Sequence, residues 1–319
     1  MNQLAIADRR QLRRKLGFWR IFSILLIVAA GFATAFFLTR DEGANTGSDH
    51  VARISISGLI QDDRELVERL GRIEKNDAVK ALIVTISSPG GTTYGGETIY
   101  KAIRKVSAKK PVVSDIRTLA ASAGYMIAIA GDTIVAGETS ITGSIGVIFQ
   151  YPQVKPLLDK LGVSLDEIKS APLKAEPSPF HPASDEAKAM IQALVNDTYD
   201  WFIDLVVERR KLPRAEVIRL ADGTIFSGRQ ALKAKLVDTL GGEEEIRSYL
   251  ATRKVPAELE IVDWEAPRRS VPFWFGSSIS DLLKILGNGV FPGALNLETG
   301  GADKLFLDGL VSVWQVGGR

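Results

Sequence analysis

At 319 residues the chain is long enough to bury a full core in one large domain or two small ones. With 45% hydrophobic and 24% charged residues and a formal net charge of +2, it lacks the basic excess of a nucleic-acid-binding domain. It contains no cysteine, which excludes disulfides, thiolate chemistry and cysteine-ligated metals, and only two histidines, His50 and His181.

The first 20 residues hold Arg9, Arg10, Arg13, Arg14, Lys15 and Arg20 against Asp8 alone, and read as a basic tail on the cytoplasmic side. Residues 21–39 (IFSILLIVAAGFATAFFLT) carry no charge and, as a helix, would cover roughly 28 Å, enough for one membrane crossing. Phe18 and Trp19 stand at the near edge, where aromatic rings favour the interface. Asp41, Glu42 and Asp49 follow the span, so the remainder of the chain is expected outside the cytoplasm. Ala33-Thr34-Ala35 would suit a signal-peptide cleavage site, but Phe36-Phe37-Leu38 continue the apolar run, so an uncleaved anchor is the preferred reading. Both readings export the domain. Residues 40–50 (RDEGANTGSDH) are small and polar, a flexible linker that would include His50.

Beyond the linker, Val51–Ile56 alternates as a strand, Asp62–Glu74 is an amphipathic helix, and VKALIVTI (79–86) is a buried strand running into the turn Ser88-Pro89-Gly90-Gly91. A helix over Gly95–Val106, a strand at Val112–Asp115, a small-residue helix over Ser122–Ala130, and strands at Thr133–Val135 and Ser144–Phe149 follow. A long helix spans Ser184–Arg210, with Ser184 as its cap. Strands alternating with helices predict an α/β domain over 51–250 with a largely parallel sheet. The pattern weakens over 251–319, a C-terminal extension with short apolar helices at Ile279–Leu286 and Lys304–Val313. It reads equally as packing, as an oligomer contact or as a membrane-facing segment.

Three segments carry chemistry. The two glycines of Ser88-Pro89-Gly90-Gly91 leave backbone N–H groups uncovered, able to hold an oxyanion, although Pro-Gly-Gly is also an ordinary turn. In Ala121-Ser122-Ala123-Gly124-Tyr125 a serine opens a helix among tiny neighbours, and reads either as a nucleophile or as a plain N-cap. Lys174, in Ile168-Lys169-Ser170-Ala171-Pro172-Leu173-Lys174, reads either as a solvated charge or as the base of a serine hydrolase without a usable histidine. A lysine base must be neutral, which requires disfavouring the ammonium by roughly 4–5 kcal/mol through desolvation. Glu176 would oppose this if it faced the same amine.

Taken together, ISSPGG (86–91), LAASAGYMIA (119–128), ITGSIGV (141–147), the Lys174 segment, ADGTIFSGRQA (221–231) and LVDTLGG (236–242) closely resemble the signal peptide peptidase A family. The resemblance implies a ClpP/crotonase-like fold of repeated ββα units, here preceded by the N-terminal transmembrane helix. It implies Ser122 as nucleophile, Lys174 as general base, Ser144 orienting the lysine amine and the Gly91 N–H in the oxyanion hole, with neither cofactor nor metal. Serine and lysine in one copy match the short, single-copy type. The family's usual Ser-Gly-Gly is Ser122-Ala123-Gly124 here, and the added methyl would narrow the pocket if it faced the cleft.

The family's task implies cleavage of remnant signal peptides at the outer, periplasmic face of a bacterial cytoplasmic membrane. The chain would be held in the lipid bilayer by residues 21–39, and ring-shaped homo-oligomers would complete each site. Three alternatives stand beside it: a hydrolase pairing His181 with Ser122, a crotonase-like domain binding acyl thioesters, and a catalytically inactive membrane scaffold. Export disfavours the second, because coenzyme A is cytoplasmic.

Overall fold

The computed structural model describes residues 19–31, 33, 48–265 and 311–313. The chain divides into two compact units, Met1–Asn45 and Thr46–Arg319. In the first, helix α1 covers residues 19–31, and its side chains, among them Trp19, Ile21, Leu25 and Ile27, are exposed. No described helix is long and apolar enough to cross a membrane. The described part of α1 rises only roughly 20 Å, against a hydrocarbon core of roughly 30 Å. Residues 32 and 34–39 of the expected span lie outside the described residues, as does most of the basic tail.

The second unit has a mixed α/β, ClpP-like fold. Strand β1 (His50–Ile60), helix α2 (Arg64–Lys75), β2 (Val79–Thr92), α3 (Thr93–Ser107), β3 (Val112–Ala121) and α4 (Ala123–Ala128) alternate in order. The sheet then adds β4 (Thr133–Ala136), β5 (Ile141–Gly143), β6 (Ile225–Ser227), β7 (Thr239–Leu240), β8 (Ile261–Asp263) and β9 (Val311–Val313). Its main path runs β6-β5-β3-β2-β1-β8, with the pairings β1·β2, β2·β3, β3·β4 and β3·β5 all parallel.

Each of the first three strands is bent rather than continuous. The β1·β2 register shifts between Ser57 and Leu59, and β2·β3 shifts between Ile86 and Ser88. Strand β3 changes partner from β4, along Val113–Ile116, to β5, along Leu119–Ala121. Three times, therefore, two strand segments precede one helix. The second segments stay paired across the shifts, Ile60 opposite Gly91 and Ser88 opposite Ala120.

Strand periodicity explains the two packed faces. Val51, Ala81, Ile83, Val113 and Val135 meet Ile246 and Leu250 of the helix Glu243–Thr252 on one face. Alternate residues such as Ile54, Leu82 and Ile86 are fully buried, as are Leu70 and Ile73 of α2 and Ile103 and Val106 of α3. Helix α6 (Asp185–Arg210) starts as expected, the Ser184 hydroxyl accepting from Ala187 N–H at 3.1 Å.

Three expectations need correction. Ser144–Phe149 is not a strand: Gly143 (φ +87°) and Ser144 (φ +49°) turn the backbone, the β5 ladders end at Gly143, and only an isolated bridge at Ile148 remains. Of the helix expected over Lys304–Val313, the described residues 311–313 form a strand antiparallel to Gly90–Thr92, the rest lying outside the described residues together with Ile279–Leu286. His50 is not in a linker but opens β1, 1% exposed, its Nε2 accepting from the Trp264 indole N–H at 3.2 Å. That partner is 214 positions away, so the polar composition of 40–50 gave no hint of it.

Candidate active site

The ends of β2, β3 and β5 lie side by side, and each carries one of the residues singled out above. At the end of β2, the fully buried Ser88 hydroxyl donates to the Gly58 carbonyl at 2.6 Å and accepts from Gly90 N–H at 3.1 Å. Gly90 sits at φ +112°, and a Cβ on Gly91 would overlap the Ile60 carbonyl. Only glycine fits at 91, because β1 approaches there backbone to backbone.

Ser122 follows directly on β3. Its backbone adopts φ 59°, ψ −119°, a region that L-residues other than glycine rarely enter, at a cost of order 1–3 kcal/mol. Its N–H donates to the Gly143 carbonyl at 2.8 Å, and its carbonyl accepts from Met126 N–H at 2.9 Å. Ser122 is the N-cap of α4 by position, but its hydroxyl makes no cap hydrogen bond to the helix. Helix α4 is shorter than expected, six residues, so local N–H groups matter more here than any macrodipole.

Helix α4 is fixed from every side. Gly124 passes so close to β2 that a Cβ there would lie 2.9 Å from the Ser88 carbonyl. The Ala123 methyl points into α3, 3.3 Å from where a Cβ on Gly96 would be, so it packs in the core rather than narrowing the cleft. The Tyr125 hydroxyl donates to the Leu236 carbonyl at 2.9 Å, and burial pushes this phenol well above its ordinary range. Beyond the C-terminal end, Arg209 donates to the Ile129 and Gly131 carbonyls at 2.9 and 2.8 Å. These contacts satisfy groups a short buried helix leaves open.

Ser144 is 8% exposed and stands next to the carbonyl that holds Ser122. Its N–H donates to the Thr224 carbonyl at 2.8 Å, while β6 pairs antiparallel with β5 and lays Phe226 over Gly143. Asp222 accepts from Thr224 N–H at 2.9 Å, and the hydrogen bonds from Thr224 hold its carboxyl below the usual range. The ADGTIFSGRQA segment thus clamps the Gly143-Ser144 turn.

Lys174 is the outlier. It lies on an exposed turn between α5 (Lys155–Leu161) and α6, its N–H donating to the Ala171 carbonyl at 3.1 Å, with Ala175 at φ +61° behind it. Among the described residues no hydrogen bond joins its amine to Ser122 or Ser144. Beside this turn, Val147, Ile148, Phe149, Pro177, Ile191 and Val195 line a groove of about 480 Å³. His181 is engaged elsewhere: Nδ1 lies 3.1 Å from the Pro182 carbonyl, and Nε2 lies 2.8 Å from Glu167 and 3.2 Å from Glu176. Among the described residues no group of three or more histidines and carboxylates is placed to hold a metal.

The chain therefore brings Ser122, Ser144 and Gly91 to neighbouring strand ends, with Lys174 on a separate loop. Sequence reasoning missed Ser88, whose hydroxyl closes the turn before Gly91. Ser88→Ala should leave two buried backbone groups short of a partner, costing about 1–3 kcal/mol in urea unfolding. It should also lower kcat roughly 10-fold by loosening the Gly90-Gly91 backbone. An unchanged kcat would separate the turn from the chemistry.

Comparison with known proteins gives matches over this whole region. The model of Peptidase family S49 matches residues 104–255, and that of Clp protease matches residues 50–139. A candidate signal peptide peptidase SppA of Enterococcus faecium is 32% identical over 258 residues, covering 76% of this chain and 74% of that one. A candidate protease of Synechocystis is 39% identical over 203 residues, 63% of this chain and 73% of that one. Another from Methanocaldococcus jannaschii is 36% identical over 204 residues, 64% of this chain and 66% of that one.

Proposed function

The chain belongs to peptidase family S49 and is a serine peptidase, and on that premise we propose that it degrades remnant signal peptides beside a membrane, with Ser122 as nucleophile and Lys174 as general base. The observation that carries the nucleophile is the strained backbone of Ser122, φ 59° and ψ −119°, at the buried junction of β3 and α4. Strain of this kind persists where the surroundings over-determine it, and it clusters at active sites. Ser122 Oγ attacks the scissile carbonyl, the lysine amine takes its proton, and the Gly91 N–H receives the oxyanion. Ser144 aims the amine. The peptidase assignment sets aside acyl-thioester binding, and the engagement of His181 with two carboxylates disfavours it as base.

Two features support a peptide bound in extended form. Residues 311–313 pair antiparallel with Gly90–Thr92, so this edge of β2 accepts a strand beside Gly91. The groove along Val147–Phe149 combines apolar walls with the polar side chains of Lys188 and Gln192, a mix that suits apolar peptide residues and a peptide backbone. Because Lys174 is exposed in the single chain, its desolvation must come from outside, either from the bound peptide or from a second copy in a ring-shaped homo-oligomer. Residues 1–20, 21–39 and 40–49 would serve as cytoplasmic tail, bilayer anchor and linker, holding the domain that begins with β1 at the outer face of a bacterial cytoplasmic membrane. The charge-free run and the exposed apolar side chains of α1 support that layout.

The test uses the full chain in phospholipid vesicles. A synthetic signal peptide should be cleaved at least 10-fold faster than a polar peptide of equal length. Deleting residues 1–39 should slow cleavage of the vesicle-bound peptide and spare that of a soluble one. Equal rates on both peptides would overturn the substrate assignment.

A further inference from the structure

The densest ionic cluster outside the strand ends lies on the loop that carries Lys174. Lys169 Nζ lies 2.6 Å from Glu176 Oε1 and 3.2 Å from Glu167 Oε2. His181 Nε2 reaches the same two carboxylates, and Glu176 Oε2 accepts from Ser178 N–H at 3.2 Å. The Glu176 side chain is 6% exposed, so its charge is spent inside the loop. The hydrogen bond from Lys169 holds its carboxyl below the usual range, and the bond from Glu176 holds the Lys169 ammonium above its own. Gln153 donates to the Ser178 and His181 carbonyls at 3.1 and 3.2 Å, fastening the loop to the segment after β5.

The placement of this cluster is what matters. Lys169 and Glu176 bracket Lys174 in the chain, and their ion pair closes residues 169–176 into a ring with Lys174 on the exposed turn. Resting on the assignment of Lys174 as base, the geometry points to Lys169 and Glu176 as positioning residues: their ion pair holds the lysine turn in place and keeps the Glu176 charge from the Lys174 amine. Without Lys169, Glu176 and Glu167 keep only His181 as a charged partner, leaving uncompensated negative charge on the loop that carries Lys174. Without the Glu176 charge, Lys169 is less compensated, leaving excess positive charge on that loop. Charges facing the cluster are those four residues, with Lys188 of α6 beside Pro177 in the adjoining groove and itself paired to Asp185 at 3.3 Å.

Lys169→Gln and Glu176→Gln are therefore expected to lower kcat roughly 10- to 100-fold, the scale of a small misplacement of a catalytic group. They should also displace the rise of kcat/KM with pH in opposite directions, upward for Lys169→Gln and downward for Glu176→Gln. Lys169→Arg, which keeps the charge, should restore the wild-type midpoint. A purely structural role would change rates without opposed shifts, so a common midpoint in both glutamine variants overturns the proposal. Thermal melting screens out misfolded variants, in which case Lys169→Arg against Lys169→Met makes the same comparison. Lys174→Ala, run alongside, separates the two ideas. Retained activity there defeats the base assignment, whereas an inactive Lys174→Ala beside glutamine variants of wild-type rate and pH profile defeats the positioning role alone.

Discussion

Ser122→Ala is expected to abolish peptide cleavage, lowering kcat by roughly 10⁴- to 10⁶-fold, the range seen when a serine nucleophile is removed. The fold should survive, since the hydroxyl caps no helix and alanine meets no new neighbour at this position. A fluorophosphonate probe should label the wild-type chain and leave the variant unlabelled. The backbone supplies a second readout. Residue 122 sits at φ 59°, where a Cβ is penalised and glycine is not, so Ser122→Gly should be about 1 kcal/mol more stable than Ser122→Ala while equally inactive. A strained backbone at this position is what the proposed nucleophile role would explain. Cleavage persisting in both variants would mean the nucleophile lies elsewhere.

The strand ends were readable because their constraints are local. Ser88-Pro89-Gly90-Gly91 and Ser122-Ala123-Gly124 carry small residues where backbones cross closely, and Gly91 and Gly124 do meet Ile60 and Ser88 at such crossings. Periodicity found α2, α3 and α6, each with a buried stripe or a serine cap, because those signals sit within a few turns of chain. What failed was set by distant partners. His50 looked like linker until Trp264 reached it. Ser144–Phe149 looked like a strand because its side chains are apolar, but two positive-φ residues redirect it. The Lys169–Glu176 pair was invisible for another reason: Glu176 was weighed only as a charge near Lys174, and its partner's direction is a property of the folded loop.

Loss of the amine at position 174 should be nearly as damaging as loss of the serine, with Lys174→Ala reducing kcat roughly 10³- to 10⁴-fold, at the upper end for a general base. Lys174→Arg should fail equally, because a guanidinium keeps its proton across the whole working range and cannot accept another. The sign of the pH dependence follows from the same requirement. A lysine base works only when neutral, so activity must rise with pH as the ammonium is lost, and a flat profile through the alkaline arm excludes it. The structure adds a sharper condition, because Lys174 is exposed in the single chain and a lysine base must be shielded from water. If the bound peptide removes that water, kcat, which reports the enzyme–substrate complex, should rise at lower pH than kcat/KM, which reports the free enzyme. If a neighbouring copy removes it, both should rise together, and dilution to monomer should abolish activity. Residual cleavage by Lys174→Ala that keeps the wild-type alkaline rise would assign that proton to some other group and end the lysine mechanism.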